Sequence, residues 1–418
     1  MSNELPLGGS RLVPEGWTLY SIDEIKADEK YSCVAGPFGS SISSKYFTET
    51  GVPIIRGNNL KNNLTKFVAQ DFAFVSEERA KKYLPQHVKA GDLVFTCWGT
   101  IGQVGLIPQD GPYPEYIISN KQLKLRVNPD LANNLFVFYY LSSKEGVEHI
   151  RSRAIGSAVP GINLGILKSI KIALPSLSTQ QSITEILSSY DRLIDNNNRR
   201  IALLEESIHL LYKEWFVRSR FPGYESVKLV DGIPEGWSYQ PLEEVCELIM
   251  GQSPPSEFYN TSEQGLPFHQ GVSNFGNRFV THEIYCTQLN RIAEAGDILC
   301  SVRAPVGRLN ITLDKIIIGR GLSAIRNRYG YQSFQYYQLK THFFQEDIIG
   351  SGAIFASVTK KQLSEQLMLV PSGEIVNKFE NISKWIDKQI TNLYLQTQRL
   401  KQARDLLLPR LMNGSIAV

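Results

Sequence analysis

The sequence predicts an α+β protein: two globular α/β modules separated by two long helices packed as an antiparallel coiled coil, with an internal pseudo-twofold repeat. Three observations predict it. Short motifs recur in order about 200 residues apart, each copy holds apolar runs broken by glycine turns, and each copy ends in a long segment whose apolar residues fall every seventh position.

The repeat opens with Pro14-Glu15-Gly16-Trp17, which returns as Pro234-Glu235-Gly236-Trp237, and Ile22-Asp23-Glu24-Ile25 returns as Leu242-Glu243-Glu244-Val245. Gly51-Val52-Pro53 matches Gly265-Leu266-Pro267, Ala90-Gly91-Asp92-Leu93-Val94 matches Ala295-Gly296-Asp297-Ile298-Leu299, and Gly102 falls on Gly307. Further on, Ile117-Ile118 aligns with Ile317-Ile318, Tyr139-Tyr140 with Tyr336-Tyr337, and Gly156-Ser157 with Gly350-Ser351. The offset shrinks along the chain, so the second copy has shorter loops. The shared positions are turn and core requirements, and the divergent loops are where two copies can act differently.

Residues 1–177 form the first module. Alternation at Asp92–Thr96 and Asp297–Ser301 predicts strands, Gly99–Gly102 and Pro305–Gly307 predict turns, and Asn133–Ser142 and Tyr331–His342 predict short helices. Residues 178–217 form the first long helix, which has no Pro or Gly, and Leu187, Ile194, Ile201, Ile208 and Trp215 are seven apart. Tyr190, Leu204 and Leu211 complete the seam, interrupted by Asn197. Residues 218–371 form the second module, and 372–418 the second helix, with Phe379, Ile386, Leu393, Leu400 and Leu407 on its seam and Ile375 and Ile382 alongside. Each helix of about forty residues is roughly 60 Å long. Such a rod cannot leave an apolar stripe in water, and a compact module between the two favours antiparallel pairing over each helix packing only on its own module.

Composition narrows the function. With 418 residues, 42% apolar and 20% charged, the chain can bury more than one core. Its 44 basic and 41 acidic residues, net +3, exclude a uniformly basic coat and an acidic tail. No apolar run approaches the roughly 18 residues of a membrane span, and no secretion signal opens the sequence, so the expected location is cytoplasmic, with no membrane partner. Cys33, Cys97, Cys246, Cys286 and Cys300 are scattered and never in CxxC spacing, as expected of reduced thiols.

Catalytic signatures are absent. There is no phosphate-binding P-loop, no GxSxG elbow, no dinucleotide fingerprint and no Asn/Asp-Pro-Pro-aromatic tetrapeptide. His87, His149, His209, His269, His282 and His342 lack metal-ligand spacing, so no metal is expected. Asp23-Glu24-Ile25-Lys26 has a loose nuclease look, but its counterpart Leu242–Val245 reads as the surface of a short helix. The expectation is a binder without catalytic residues.

The charge is uneven by segment, +3, −2, −1 and +3 in chain order. Between Asp297 and Arg328 lie Arg303, Arg308, Lys315, Arg320, Arg326 and Arg328, and arginine suits phosphate and guanine edges. Polar and basic side chains on glycine-bearing turns are what DNA contact needs. The candidates are Arg56, Asn58, Asn59, Lys61, Thr100, Gln103, Lys121, Arg151 and Arg153 in the first module. In the second they are Gln270, Asn274, Arg278, Arg303, Arg308 and Arg320. The bland alternative at each is a solvated loop.

With the paired PEGW-type openings, the paired Ala-Gly-Asp turns, and the Gly-Ser followed by a strand ending in proline (Ile172–Pro175, Met368–Pro371) before each helix, the sequence resembles the specificity (S) subunit of Type I restriction-modification enzymes. The likeness spans about Pro14 to Asn413. It implies that each module is a target recognition domain reading one half of a split, asymmetric site on double-stranded DNA. The helices are then a spacer and a platform for two modification (methyltransferase) subunits, and restriction (translocase/nuclease) subunits complete the assembly. The implied cofactors, S-adenosylmethionine, ATP and Mg, belong to those partners, and none to this chain. The second copy departs from the pattern at Pro371-Ser372-Gly373, which lacks the Gln180-Gln181 helix start of the first. A Type IIB-like specificity subunit shares this architecture, and a coiled-coil adaptor without DNA binding is the rival of another class.

Overall fold

The computed structural model describes residues 13–39, 41–156, 160–344 and 357–418. The first module opens with β1 (Thr18–Ser21) and α1 (Ile22–Ile25) and closes with β10 (Lys171–Leu174), which pairs antiparallel with β1. Between them lie β2 (Cys33–Ala35), β3 (Val52–Ile55), β4 (Ala73–Val75), α2 (Glu77–Ala80), β5 (His87–Val88), β6 (Leu93–Thr96), β7 (Val104–Leu106), β8 (Tyr116–Ile118) and β9 (Gln122–Leu125). α3 (Asn134–Ser142), α4 (Lys144–Ser152) and α5 (Leu164–Ser169) follow. Two four-stranded sheets result, β2-β9-β6-β7 and β4-β3-β8-β5, the second with β3 and β8 parallel.

The long helix α6 (Leu177–Tyr212) runs on through a π turn, Lys213–Val217, to the second module. There β11 (Leu229–Val230), β12 (Ile233–Pro234), β13 (Ser238–Pro241), α7 (Leu242–Val245), β14 (Cys246–Met250), β15 (Tyr259–Asn260), β16 (Leu266–His269) and β17 (Tyr285–Cys286) come first. Then follow β18 (Ile292–Ala293), β19 (Ile298–Ser301), β20 (Leu309–Ile311), β21 (Ile316–Ile318), β22 (Leu322–Asn327), α8 (Gln332–Phe344), α9 (Lys360–Ser364), β23 (Leu367–Val370) and α10 (Gly373–Met412). The pairing repeats that of the first module: β13 with β23, a β14-β22-β19-β20 sheet, and a β15-β17-β16-β21-β18 sheet with β16 and β21 parallel.

The sequence repeat is thus a repeat of strand register. Ile54 and Ile55 face Ile117 and Ile118 across one parallel pair, and Phe268 and His269 face Ile317 and Ile318 across the other. Gly51 and Gly265 recur for a steric reason. Both have positive φ, and a Cβ there would lie 2.2 Å from the Val75 carbonyl oxygen and 2.1 Å from that of Cys286. The repeat match Gly156-Ser157 with Gly350-Ser351 has only Gly156 within the described residues.

The chain forms two compact units that cut across both long helices: residues up to Asn196 with Thr397–Val418, and Asn197–Gln396. Each unit therefore holds one module, here called a lobe, with the start of one long helix and the end of the other. In the first unit Ile183 and Leu187 share a core with Leu408, Leu411 and Met412. In the second, Ile208, Tyr212 and Trp215 share one with Ile375, Val376 and Phe379. Beyond these cores Asp191 meets Arg404 in the first unit and Arg278 bridges Glu205 and Asp387 in the second, so rising numbers on α6 go with falling numbers on α10 and the helices run antiparallel in each. The repeated tryptophans finish these cores: Trp17 packs on Phe136 beside Ile416, and Trp237 on Phe216 and Phe221.

The seam is narrower than the heptad count suggests. Leu187, Ile194, Ile208, Phe379 and Leu393 are buried, whereas Ile201, Leu204, Leu211, Ile386, Leu400 and Leu407 are partly covered and Ile382 is exposed. Polar side chains are buried along the same helices as well: Asp191, Asn197, Glu380, Ser383, Thr397 and Arg404. The helix-start difference is also resolved. Gln180 is buried and donates to the Leu131 and Pro175 carbonyls, whereas in the second unit Glu380 of α10 accepts from the Ser333 and Phe334 amides at the start of α8.

Candidate nucleic-acid interface

Three strand ends converge in each lobe. In the first, β3 runs out into Arg56, β6 into Trp98-Gly99-Thr100, and the β8–β9 turn holds Ser119-Asn120-Lys121. The Ser119 amide donates to the Ile55 carbonyl at 3.2 Å and the Cys97 amide to the Lys121 carbonyl at 2.8 Å, which ties the three together. They line a cleft of about 700 Å³ with Gly39, Ser43, Ser44 and Gln103. Gly36 beside it admits no side chain, since a Cβ would sit 1.9 Å from the Ser119 oxygen.

The second lobe builds the same corner from Gln270, Arg303 and the Gly319-Arg320-Gly321 turn. The Gly321 amide donates to the Gln270 carbonyl at 3.1 Å and the Val302 amide to the Gly321 carbonyl at 2.9 Å. Ser253 joins them, its hydroxyl donating to Gln270 Oε1 at 2.6 Å and accepting from the Arg320 amide at 3.2 Å. Strand register sets the correspondence: Arg56 with Gln270, Trp98 with Arg303, Gln103 with Arg308, and Asn120 with Arg320.

Of the predicted residues, Asn58, Lys61, Thr100, Lys121, Arg151, Gln270, Arg303, Arg308 and Arg320 are exposed. Arg56 is half-buried at the cleft wall, where one guanidinium nitrogen donates to the Asp71 carbonyl at 2.9 Å. Gln103 accepts from the Thr96 hydroxyl and donates to the Leu60 carbonyl, leaving it half-buried. Arg151 donates to the Ile101 carbonyl from α4, while Arg153 and Asn274 are half-buried nearby in their lobes.

Two candidates are corrected. Asn59 is fully buried, its amide donating to the Val68 and Gln70 carbonyls and its oxygen accepting from the Arg56 amide. Arg278 is also buried, and Asp387, Glu205 and the Tyr337 hydroxyl take up its guanidinium. Both side chains stabilise the loops from within. Composition cannot distinguish this from a loop side chain that faces outward.

The arginine-rich stretch divides in the same way. Arg326 grips Asp297 with two bonds at 2.8 and 2.7 Å, Lys315 pairs with Glu294 at 3.0 Å, and Arg328 donates to the Glu243 carbonyl. The first lobe repeats the fork, with Arg126 on Asp92 at 2.6 and 2.7 Å, and these bonds hold the Arg126 proton more tightly than usual. The Ala-Gly-Asp motif is therefore structural: its carboxylate caps the turn through the Lys89 or Glu294 amide and clamps the neighbouring strand. Among the described residues Arg303, Arg308 and Arg320 have no such ion-pair partner, and all three are exposed.

Other sequence features resolve as structure. Asp23 pairs with Lys26 and Lys168, which lower its pKa, and Glu24 closes a capping box with Ser21. All five cysteines are free and buried, and burial pushes Cys97 up to about 11 and Cys300 to about 12. His269 and His282, widely spaced in sequence, form a chain: His269 Nε2 meets His282 Nδ1 at 2.9 Å, and His282 Nε2 meets Asp314 at 3.0 Å. Among the described residues no group of three or more His, Cys, Asp or Glu side chains could hold a metal, and no helix is long and apolar enough to cross a membrane.

Comparison with known proteins agrees with this architecture. The family described as "Type I restriction modification DNA specificity domain" matches residues 35–206 and again 234–402, one match per copy of the repeat. The type I restriction enzyme MjaIX specificity subunit of Methanocaldococcus jannaschii is 22% identical over 97% of this chain and 95% of its own length. That of HindI of Haemophilus influenzae is 23% identical over 79% of this chain and 87% of its own. The crystal structure of the Type-I restriction-modification S subunit from M. genitalium superposes with a TM-score of 0.59 at 16% identity, covering 97% of this chain and 99% of that one, a likeness of fold. The duplicated lobe, the two long helices and the twofold family match lead to one conclusion: the chain belongs to the Type I restriction-modification specificity subunits, the non-catalytic DNA-recognition component of those systems.

Proposed function

We propose that the chain reads a bipartite, asymmetric DNA sequence, one half with each lobe, and carries two modification subunits and the restriction subunits that act on it. The observation supporting this reading most is the pair of equivalent corners with non-equivalent side chains. Arg56, Trp98, Thr100 and Lys121 stand where the second lobe has Gln270, Arg303, Pro305 and Gly321. Equal frames place the two readers alike, and unequal donors and acceptors read different base edges. Arginine and lysine at the rims supply phosphate contacts that position without specifying.

The long helices support the docking part. Leu193, Leu203 and Leu210 on α6 and Trp385, Leu395 and Leu406 on α10 are exposed large apolar side chains, which suits helix faces covered by protein partners. S-adenosylmethionine, ATP and Mg enter through those partners.

B-DNA presents the same groove face once per turn, roughly 34–36 Å, so a rigid strut sets both gap and phase. Inserting one seven-residue block into α6 and α10 together tests this. Mapping of methylated sites should show a changed gap between unchanged half-sites. Changed half-sites with an unchanged gap would sink the reading. Binding by the assembled complex should also weaken steeply with salt, whereas an adaptor without DNA contacts would show no such slope.

A further inference from the structure

Each lobe is fastened to its helices by a buried charge cluster that the repeat has kept in position and changed in composition. In the second unit Arg278, 3% exposed, lies 2.6 Å from Asp387 of α10 and 3.4 Å from Glu205 of α6. Its guanidinium stacks 4.5 Å from the Tyr336 ring, and the Tyr337 hydroxyl donates to Asp387 at 2.7 Å. In the first unit Asp191 of α6 takes the central place, 2.8 Å from Arg404 of α10 and 3.3 Å from Lys66 of the lobe, with the Tyr139 hydroxyl donating to it at 2.5 Å. Lys66 and Arg278 occupy the same position in their lobes. The Lys66 carbonyl accepts from Leu106 and the Arg278 carbonyl from Ile311, the last residues of β7 and β20.

These cations stand on the same stretch of chain as the reading turns. Arg56–Lys61 leads into Lys66, and Asn59 holds the Val68 and Gln70 carbonyls just beyond it. Gln270–Asn274 leads into Arg278, and the Asn274 carbonyl accepts from the Thr281 amide at 3.0 Å just beyond it. A shift of the cation on the helices is therefore carried to the reading turn.

From this geometry we infer that Arg278 with Asp387 and Glu205, and Lys66 with Asp191 and Arg404, are positioning residues that set how each lobe is presented to its half-site, and so the gap between half-sites that is accepted. The inference rests on the bipartite reading proposed above. The two joints differ in strictness. The second is a buried guanidinium held by two carboxylates and an aromatic face, and the first a Lys66 that is 32% exposed. An arginine fork fixes orientation where an ammonium acts as a point charge.

The test uses the chain assembled with its modification subunits and a DNA library in which the half-sites are constant and the gap varies. The combined change Arg278→Met, Asp387→Asn, Glu205→Gln removes the charges together, so no carboxylate is left buried without a partner. It should reduce the preference for the native gap over its one-base-pair neighbours about tenfold, with the half-site bases unaltered. Arg278→Lys, which keeps the charge, should restore part of that preference, and Lys66→Met should lower it less than the triple change. If the triple variant does not assemble, Lys66→Met and Arg278→Lys are read by the same criterion. An unchanged gap preference in the assembled variants would show that the clusters serve packing alone, and altered half-site bases would show that they shape the reading surface itself; either overturns the inference. A wild-type complex with no preferred gap would overturn the bipartite reading on which it stands.

Discussion

The two lobes share a frame and differ in what they mount on it. The parallel pairs β3–β8 and β16–β21, the Asp–Arg forks and the crowded glycines are equivalent to the residue, whereas the corner is Arg56, Trp98 and Asn120 in one lobe and Gln270, Arg303 and Arg320 in the other. The difference teaches where selection for folding ends. Strand register and turn geometry tolerate few residues, while the side chains after the strand ends meet solvent or a ligand and are free to diverge.

The strongest way to break the comparison is at the joints. Arg278→Ala removes a buried guanidinium and leaves the half-buried Asp387 and Glu205 without it as a counter-charge, which should destabilise the second unit by about 3–5 kcal/mol, read by denaturant unfolding. The matching change in the first lobe, Lys66→Ala, should cost below about 1 kcal/mol because that pair is partly in water. Equal losses would mean that the two joints are not different in kind.

A second asymmetry is pH. His269 lies in the second lobe among buried groups, facing His282, and desolvation followed by that neighbour brings its pKa down to about 4 from the usual 6.5. The unfolded chain therefore takes up the proton first as pH falls. The contribution is whole above pH 6.5 and is lost between 6.5 and 4, amounting to about 3 kcal/mol. The corresponding residue of the first lobe is Ile55, which does not titrate. His269→Gln should flatten the acid limb of the stability profile, and an unchanged limb would place its origin elsewhere.

Smaller and more local is the effect on reading. Arg303→Ala and Arg320→Ala should each reduce discrimination within one half-site by about 1–3 kcal/mol if they contact base edges. If they contact phosphates, binding should weaken uniformly across sequences and the salt slope should fall by about one per residue. Methylation assays on half-site variants distinguish the two, and in either case the other half-site stays as it was.

Much of the frame was legible because it is written in residues with narrow physical roles. Proline, glycine and tryptophan at repeated offsets marked turns and core corners, and the seven-residue spacing marked both long helices, the second of which was expected to reach residue 418 and ends at Met412. The corner was legible only as a set of polar turns. Asn59 and Arg278 belonged to those turns by composition, yet both point inward, since whether a polar loop side chain faces water depends on partners far away in sequence. The joints escaped for the same reason: Asp191 and Asp387 look like solvated helix residues until Lys66 and Arg278 are brought against them. Their recurrence at like places in the two helices, opposite a repeated tyrosine pair, was the available signal. His269 and His282 carried no motif because only the fold brings them together.

The central claim is that two unlike readers on one chain recognise two unlike half-sites. Mapping methylated sites in cells that carry this chain with its modification partner tests it most directly. The account predicts one motif made of two different short sequences separated by a fixed gap. A continuous motif, or two identical half-sites, would contradict it.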